Sequence, residues 1–238
     1  MFSFFTLAFL IGMSHALEAD HVAAVSAMAA RDTRVSSIVR TGAVWGLGHA
    51  ITLTIFAGAA LVLGLSFGDQ LVGWLEFAVG LMLMGLGGHI LYRLVRDRVH
   101  FHTHRHALGT THFHAHSHAG EAARAHDALR HDHDHPPFPF KSLFVGMMHG
   151  MAGSAALLIL TASTAPTPGT GLIYMALFGL GSILGMAALS AVIALPIALS
   201  ARILTQANTA IHLGIGLATF ALGAHTVMVH FSAGPAVL

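Results

Sequence analysis

Cysteine is absent from the 238-residue chain. That excludes disulfides, thiolate metal sites and thiol nucleophiles. Charge is scarce as well: 11 Lys and Arg stand against 10 Asp and Glu, 9% of the residues, where a water-soluble domain carries about 25%. A net charge of +1 offers no basic face to a polyanion, so nucleic acid is not an expected partner. The only lysine, Lys141, lies outside any Gly-x4-Gly-Lys loop, which removes a built-in nucleotide-driven motor. No His-Glu-x-x-His run occurs either, and a zinc-protease reading fails with it. What is abundant is apolar surface, at 55%, with 26 glycines and 20 histidines. Such a composition reads as an integral membrane protein with a metal connection.

Apolar stretches near 20 residues mark membrane helices. Six are expected, at about 2–30, 41–65, 71–95, 140–164, 171–199 and 208–231, the first of them polar in its middle. A long polar segment, 96–139, separates the third from the fourth. The fold class expected is therefore all-α, with residues 1–95 and 140–238 as two membrane halves and 96–139 as a histidine-rich loop. Residues 2–13 followed by Ser14-His15-Ala16 have some likeness to a secretory signal, but the start lacks the basic residues of one. With six spans all eleven Lys and Arg fall on one side, from Arg31, Arg34 and Arg40 through the loop to Lys141 and Arg202. Basic loops stay in the cytoplasm, so the long loop is expected there, in a cell (inner) membrane, with both termini outside.

The two halves repeat. Gly12-Met13-Ser14-His15 returns as Gly146-Met147-Met148-His149, and Gly46-Leu47-Gly48-His49 as Gly179-Leu180-Gly181-Ser182. Gly80-Leu81 and Leu86-Gly87-Gly88-His89 return as Gly216-Leu217 and Leu222-Gly223-Ala224-His225. An odd number of helices per copy inverts the second copy in the membrane. Two inverted three-helix repeats are a common plan of secondary transporters, with the substrate site at the midplane between them.

The first span carries the chemistry. His15-Ala16-Leu17-Glu18-Ala19-Asp20-His21 puts four ionisable groups in seven residues at a depth where an Asp costs about 2.5–3.5 kcal/mol to insert. On an uninterrupted helix His15, Glu18 and His21 share a face, and Asp20 lies about 100° from His21. Imidazoles with carboxylates suit a borderline divalent metal, whose charge would offset the acids. The plain alternative is a polar cluster that only pins helix packing. His49 on the second span and His149 on the fourth add two more candidate ligands, the latter at the repeat position of His15. Ser154 falls near the repeat position of Asp20 or His21. His89 and His225 are expected nearer the surfaces, as packing or access residues. Met13, Met147, Met148 and Met151 gather at the depth of His15 and are expected to fill irregular space.

These residues resemble the NiCoT nickel/cobalt transporter family. Its signature, His, four residues, then Asp-His, fits His15 to Asp20-His21, and the Leu-Gly-His of its second motif fits Leu47-Gly48-His49, with Ala50 in place of the usual Ser. Likeness is closer to the UreH-type, urease-accessory branch of six-helix proteins, through His149-Gly150-Met151-Ala152-Gly153-Ser154-Ala155-Ala156 and Gly179-Leu180-Gly181-Ser182-Ile183-Leu184-Gly185-Met186. Glu18 stands where the family commonly has Asp, and the acidic third and fourth motifs of larger members are missing. The resemblance implies a carrier rather than an enzyme, with Ni2+ or Co2+ as substrate, no permanently bound cofactor, membrane lipid as surroundings and a cytosolic nickel chaperone as a partner. The metal ligands expected are His15, Glu18, Asp20, His21, His49 and His149.

Between His100 and His135 twelve of 36 residues are histidine. They fall in alternating sets: His100, His102, His104, His106; His112, His114, His116, His118; and His131, His133, His135, the last interleaved with Asp132 and Asp134. A tract this polar has no core to bury, so it is expected to be disordered without metal and to bind metal as an accessory. Two readings without transport stand beside the carrier: a membrane metal sensor or metallochaperone anchor, and a haem protein with paired axial histidines.

Overall fold

A computed structural model describes residues 2–30, 32, 34–64, 68–96, 100–105, 111–116, 139–151, 165–203 and 205–232. Among them run seven helices: α1 Phe2–His15, α2 Ala19–Ala29, α3 Val35–Leu63, α4 Asp69–Arg96, α5 Phe140–His149, α6 Pro168–Ile203 and α7 Thr205–Ser232. The 29 residues of α3 make a rod of about 43 Å at 1.5 Å per residue, longer than the roughly 30 Å hydrocarbon layer. Four helices are long and apolar enough to cross a bilayer, and α1 with α2 makes a fifth span if the bent pair counts as one. The outer face is greasy: Ile55, Val62, Phe144, Val192 and Met228 are each more than half exposed. Water would not tolerate so much contiguous apolar surface, and lipid does. The chain is a membrane protein.

The expected second, third, fifth and sixth spans match α3, α4, α6 and α7, with ends shifted by a few residues. The fourth begins as α5, and its continuation, 152–164, lies outside the described residues. One expectation is corrected. Residues 2–30 are not one continuous helix but two, bent by 56°. The break falls on the polar cluster, where Leu17 N–H donates to Ser14 O and Glu18 N–H to His15 O in tight turns, and Glu18 is extended at φ −61°, ψ 146°. Neither proline nor glycine lies there. The interruption instead lets the short polar side chains turn inward to one another. By contrast α3 stops where Gly64 takes φ 65° and donates its N–H to Ala60 O, a left-handed cap that suits glycine.

The short helix α2 is the hub. It packs against α3, α4, α6 and α7 and buries His21, Ala24, Val25, Ala27, Met28 and Ala29. Around it α3 lies along α6 and α4 along α7, while α1 crosses to α6 and α5 crosses to α3. Close backbone contacts come in exchanged pairs. Gly12 abuts the carbonyl of Phe178, and Gly146 abuts that of Trp45; Gly181 meets the carbonyl of Phe9, and Gly48 that of Leu143. In each pair one contact is the other carried along the chain by 134 on one helix and back by 133 on the other. Gly80 with Gly223 and Gly216 with Gly87 form a third such pair. A side chain at any of these positions would force helices apart.

Within the histidine-rich tract the structure departs from the expected absence of order over twelve residues. Strands β1 His100–Arg105 and β2 Thr111–His116 pair antiparallel, with His100 opposite His116, His102 opposite His114 and His104 opposite His112. Strict alternation of histidine with Phe, Thr and Ala has the two-residue period of a strand. His106, His118, His131, His133 and His135 lie outside the described residues.

Candidate functional site

Three helix ends meet at one point. His15 is the last residue of α1, His149 the last of α5, and Asp20 and His21 stand in the first turn of α2. His49 comes from the middle of α3, one turn after Trp45. The carboxyl ends of α1 and α5 carry the negative poles of their dipoles, and Asp20 offsets the positive pole of α2. A cation brought here meets two helix ends that favour it.

The four imidazoles are all buried, with His15 5%, His21 1%, His49 0% and His149 2% exposed. They touch each other directly: ring centroids are 4.3 Å apart for His15–His21, 5.2 Å for His15–His49, 5.0 Å for His21–His49 and 4.5 Å for His21–His149.

In three of the four rings a carboxylate sets which nitrogen carries the proton. Glu18 Oε1 accepts from His15 Nδ1 at 2.7 Å. Asp20 Oδ1 accepts from His21 Nδ1 at 2.9 Å and from the backbone N–H of His21 at 2.9 Å. Its other oxygen, Oδ2, accepts from His149 Nε2 at 2.9 Å. A neutral imidazole whose one N–H is so engaged has a bare lone pair on its other nitrogen. The lone pairs left are therefore His15 Nε2, His21 Nε2 and His149 Nδ1. Among the described residues, His21 Nε2 and His149 Nδ1 have no hydrogen-bond partner, and neither has His49 Nδ1. His15 Nε2 lies 3.2 Å from His49 Nε2. Buried acceptors without donors are rare because each costs about 1–3 kcal/mol. Several together, held by carboxylates from behind, is how histidines are presented to a metal. His15, His21 and His49 offer ligand atoms within 4.8 Å of one another, and so do Asp20, His21 and His149.

The sequence reading and the structure agree on which residues share this place, with two differences. Asp20 is not turned away from His21; the break between α1 and α2 brings its two oxygens to His21 and His149 at once. Glu18 is half exposed and reaches the cluster through His15, with His21 Nδ1 a further 3.9 Å from its Oε2. Ser154 lies outside the described residues, and His89 and His225 are exposed away from the cluster. Trp45 was missed. Its ring is fully buried and packs edge-on against His21 at 5.5 Å and His149 at 5.3 Å between centroids. Its signal in the sequence is its place four residues before His49, on the same helix face. Phe178, its counterpart 133 residues on, lies 5.3 Å from the His15 ring.

Because Glu18 only backs His15 and is half exposed, Glu18→Gln is expected to weaken divalent-metal binding by about tenfold, the low end for loss of a carboxylate behind a ligand histidine. Titration of the purified protein with Co2+ checks this, and a loss of a hundredfold or more would make Glu18 a ligand.

No protein-family model matches the chain, and no solved structure matches it significantly. A curated relative does: the urease accessory protein UreH of Bacillus sp. (strain TB-90) is 34% identical over 208 residues, which is 85% of this chain and 81% of that protein. With a third of the residues shared along most of both chains, the protein belongs to the UreH family of urease accessory proteins.

Proposed function

We propose that the protein is a secondary carrier that moves Ni2+ or Co2+ across the cell membrane, serving the supply or clearance of nickel in urease- or hydrogenase-type metabolism. The observation that carries this reading is the set of buried imidazole nitrogens without hydrogen-bond donors, gathered beside the Asp20 carboxylate. Nitrogen with one carboxylate suits Ni2+ and Co2+ better than Mg2+ or Ca2+. The relative's name, an accessory protein of urease, fits the same reading.

The carrier is built as two inverted three-helix repeats, which accounts for the exchanged glycine contacts and for His15 and His149 both ending their helices at the site. Rocking of one repeat against the other exposes the site to each side in turn. The basic residues place the long loop in the cytoplasm and both termini outside. There the histidine tract gathers ions beside the pathway or passes them to a cytosolic nickel chaperone, with the paired runs in β1 and β2 bringing six histidines into cross-strand register.

Purified protein in liposomes tests the reading. Radioactive Ni2+ is expected to cross the bilayer with wild-type protein, and flux is expected to fall at least a hundredfold in His15→Ala, Asp20→Ala and His21→Ala. Wild-type protein that binds Ni2+ but never moves it would make the protein a sensor or a metallochaperone anchor.

A further inference from the structure

The cluster is not arranged around one centre. His15, His21 and His49 form one triad, and Asp20, His21 and His149 form another. Only His21 belongs to both. Their chemistry differs. The first is three imidazoles with no carboxylate among them, none more than 5% exposed. The second contains an anionic oxygen from Asp20, whose side chain is 36% exposed.

Two aromatic rings line the cluster. Trp45 lies against His149, His21 and, at 6.2 Å, His49, and Phe178 lies against His15. The backbone carbonyls of these two aromatics are the ones that Gly146 and Gly12 abut. Each ring is thereby fixed to the helix that ends in a histidine it faces: Gly146 and His149 are both on α5, and Gly12 and His15 are both on α1. A shift of α5 on α3 moves His149 past Trp45, and a shift of α1 on α6 moves His15 past Phe178. His149 and His15, one from each triad, are thus held by different helix contacts.

We propose that these are two overlapping stations for a single divalent cation, Asp20/His21/His149 as the more exposed one and His15/His21/His49 as the buried one, and that His21 hands the ion from one to the other. The inference rests on the metal-carrier reading above. A neutral imidazole has one lone pair. His21 holds it on Nε2 while Nδ1–H donates to Asp20. An ion held beside Asp20 needs the ring protons of His21 and His149 on their far nitrogens, Nε2 and Nδ1, so His21 serves one ion at a time. Two dications a few ångströms apart would also repel strongly. Occupancy is therefore exclusive. The charged station captures the ion from water. The all-nitrogen station discriminates, because Mg2+ and Ca2+ prefer oxygen and bind poorly to three imidazoles.

The test is Co2+ binding to the purified full chain by calorimetry, with flux into liposomes measured on the same proteins. His49→Gln removes a ligand from the buried station only, and His149→Gln from the exposed station only. His49→Asn and His149→Asn serve if a glutamine variant does not insert. The full chain is expected to bind one Co2+ more than His21→Gln does, whatever the histidine tract binds besides. Both single-station variants are expected to keep that ion, bound tenfold or more weaker, while His21→Gln keeps none at the cluster and flux is lost in all three. Millimolar Mg2+ is expected to displace Co2+ from His49→Gln and not from His149→Gln.

Two ions per wild-type cluster would overturn exclusive occupancy. Loss of all binding in both single-station variants would overturn the division into stations and leave the carrier standing, with one undivided site. So would a wild-type rate of flux in either variant. Wild-type protein that binds no Co2+ would overturn the division and the carrier reading together.

Discussion

Asp20→Asn is expected to lower Co2+ affinity by a hundredfold or more and to stop Ni2+ flux, although the variant differs from wild type by one atom. Asp20 holds two of the buried rings by hydrogen bonds, His21 through Oδ1 and His149 through Oδ2. An amide has one acceptor and one donor where the carboxylate has two acceptors. If its oxygen stays with His21, its NH2 faces His149 Nε2, which must then give up its proton and become the acceptor. If the amide turns round, the same reversal falls on His21, and its Nε2 lone pair is lost. Either way one ring presents N–H where a cation needs a lone pair, and the negative charge is gone. Losing one carboxylate behind a single ligand histidine weakens metal binding by about 10–100-fold; here one substitution disturbs two rings and removes a candidate ligand. Calorimetry with Co2+ gives the affinity, and a size-exclusion profile equal to that of wild type shows that the fold survived. A change of less than threefold would mean that the cluster is structural and that the metal reading is wrong.

How much of this was legible in the sequence varies by level. Apolar runs located the spans because lipid demands about 20 such residues whatever they pack against. Their ends were less legible: α3 starts at Val35, six residues before Thr41 opens the expected span. A helix continues past the apolar layer at little cost, since its backbone is already hydrogen-bonded. The spacing of His15, Asp20 and His21 marked the site, and the repeat found His149 from a distance of 134 residues along the chain. The break between α1 and α2 left no such mark. Without Pro or Gly there, its cause is tertiary: contacts of Asp20 with α5 and of His15 with His49 on α3, which no local pattern encodes. The same holds for Trp45. Its apolar ring reads as ordinary core until His21 and His149 are seen to lie against it. The hairpin in the histidine tract was hidden for a different reason, because composition dominated the reading and the two-residue alternation within it was given no structural weight.

Leucine at Gly146 and leucine at Gly12 are expected to have matching effects, each destabilising the fold by about 3 kcal/mol or more and abolishing Co2+ binding. Overpacking in a core usually costs about 1–3 kcal/mol because side chains move aside. Here the obstacle is backbone, the carbonyl of Trp45 for Gly146 and that of Phe178 for Gly12, and a helix cannot yield locally. The whole of α5 or α1 must retreat, and His149 or His15 goes with it. Gly85 is the control: nothing lies within 4 Å of where its side chain would be, so Gly85→Leu is expected to melt and bind as wild type does. Thermal unfolding in detergent, followed by size-exclusion chromatography, measures the first effect, and calorimetry the second. Equal losses at Gly12 and Gly146 are what two copies of one helix contact require, since each substitution strikes the same joint seen from the opposite half. A large loss at one and none at the other would mean that the recurring glycines are composition and nothing more. The rocking of repeat against repeat proposed above would then lose its hinge, because its two joints would not be equivalent.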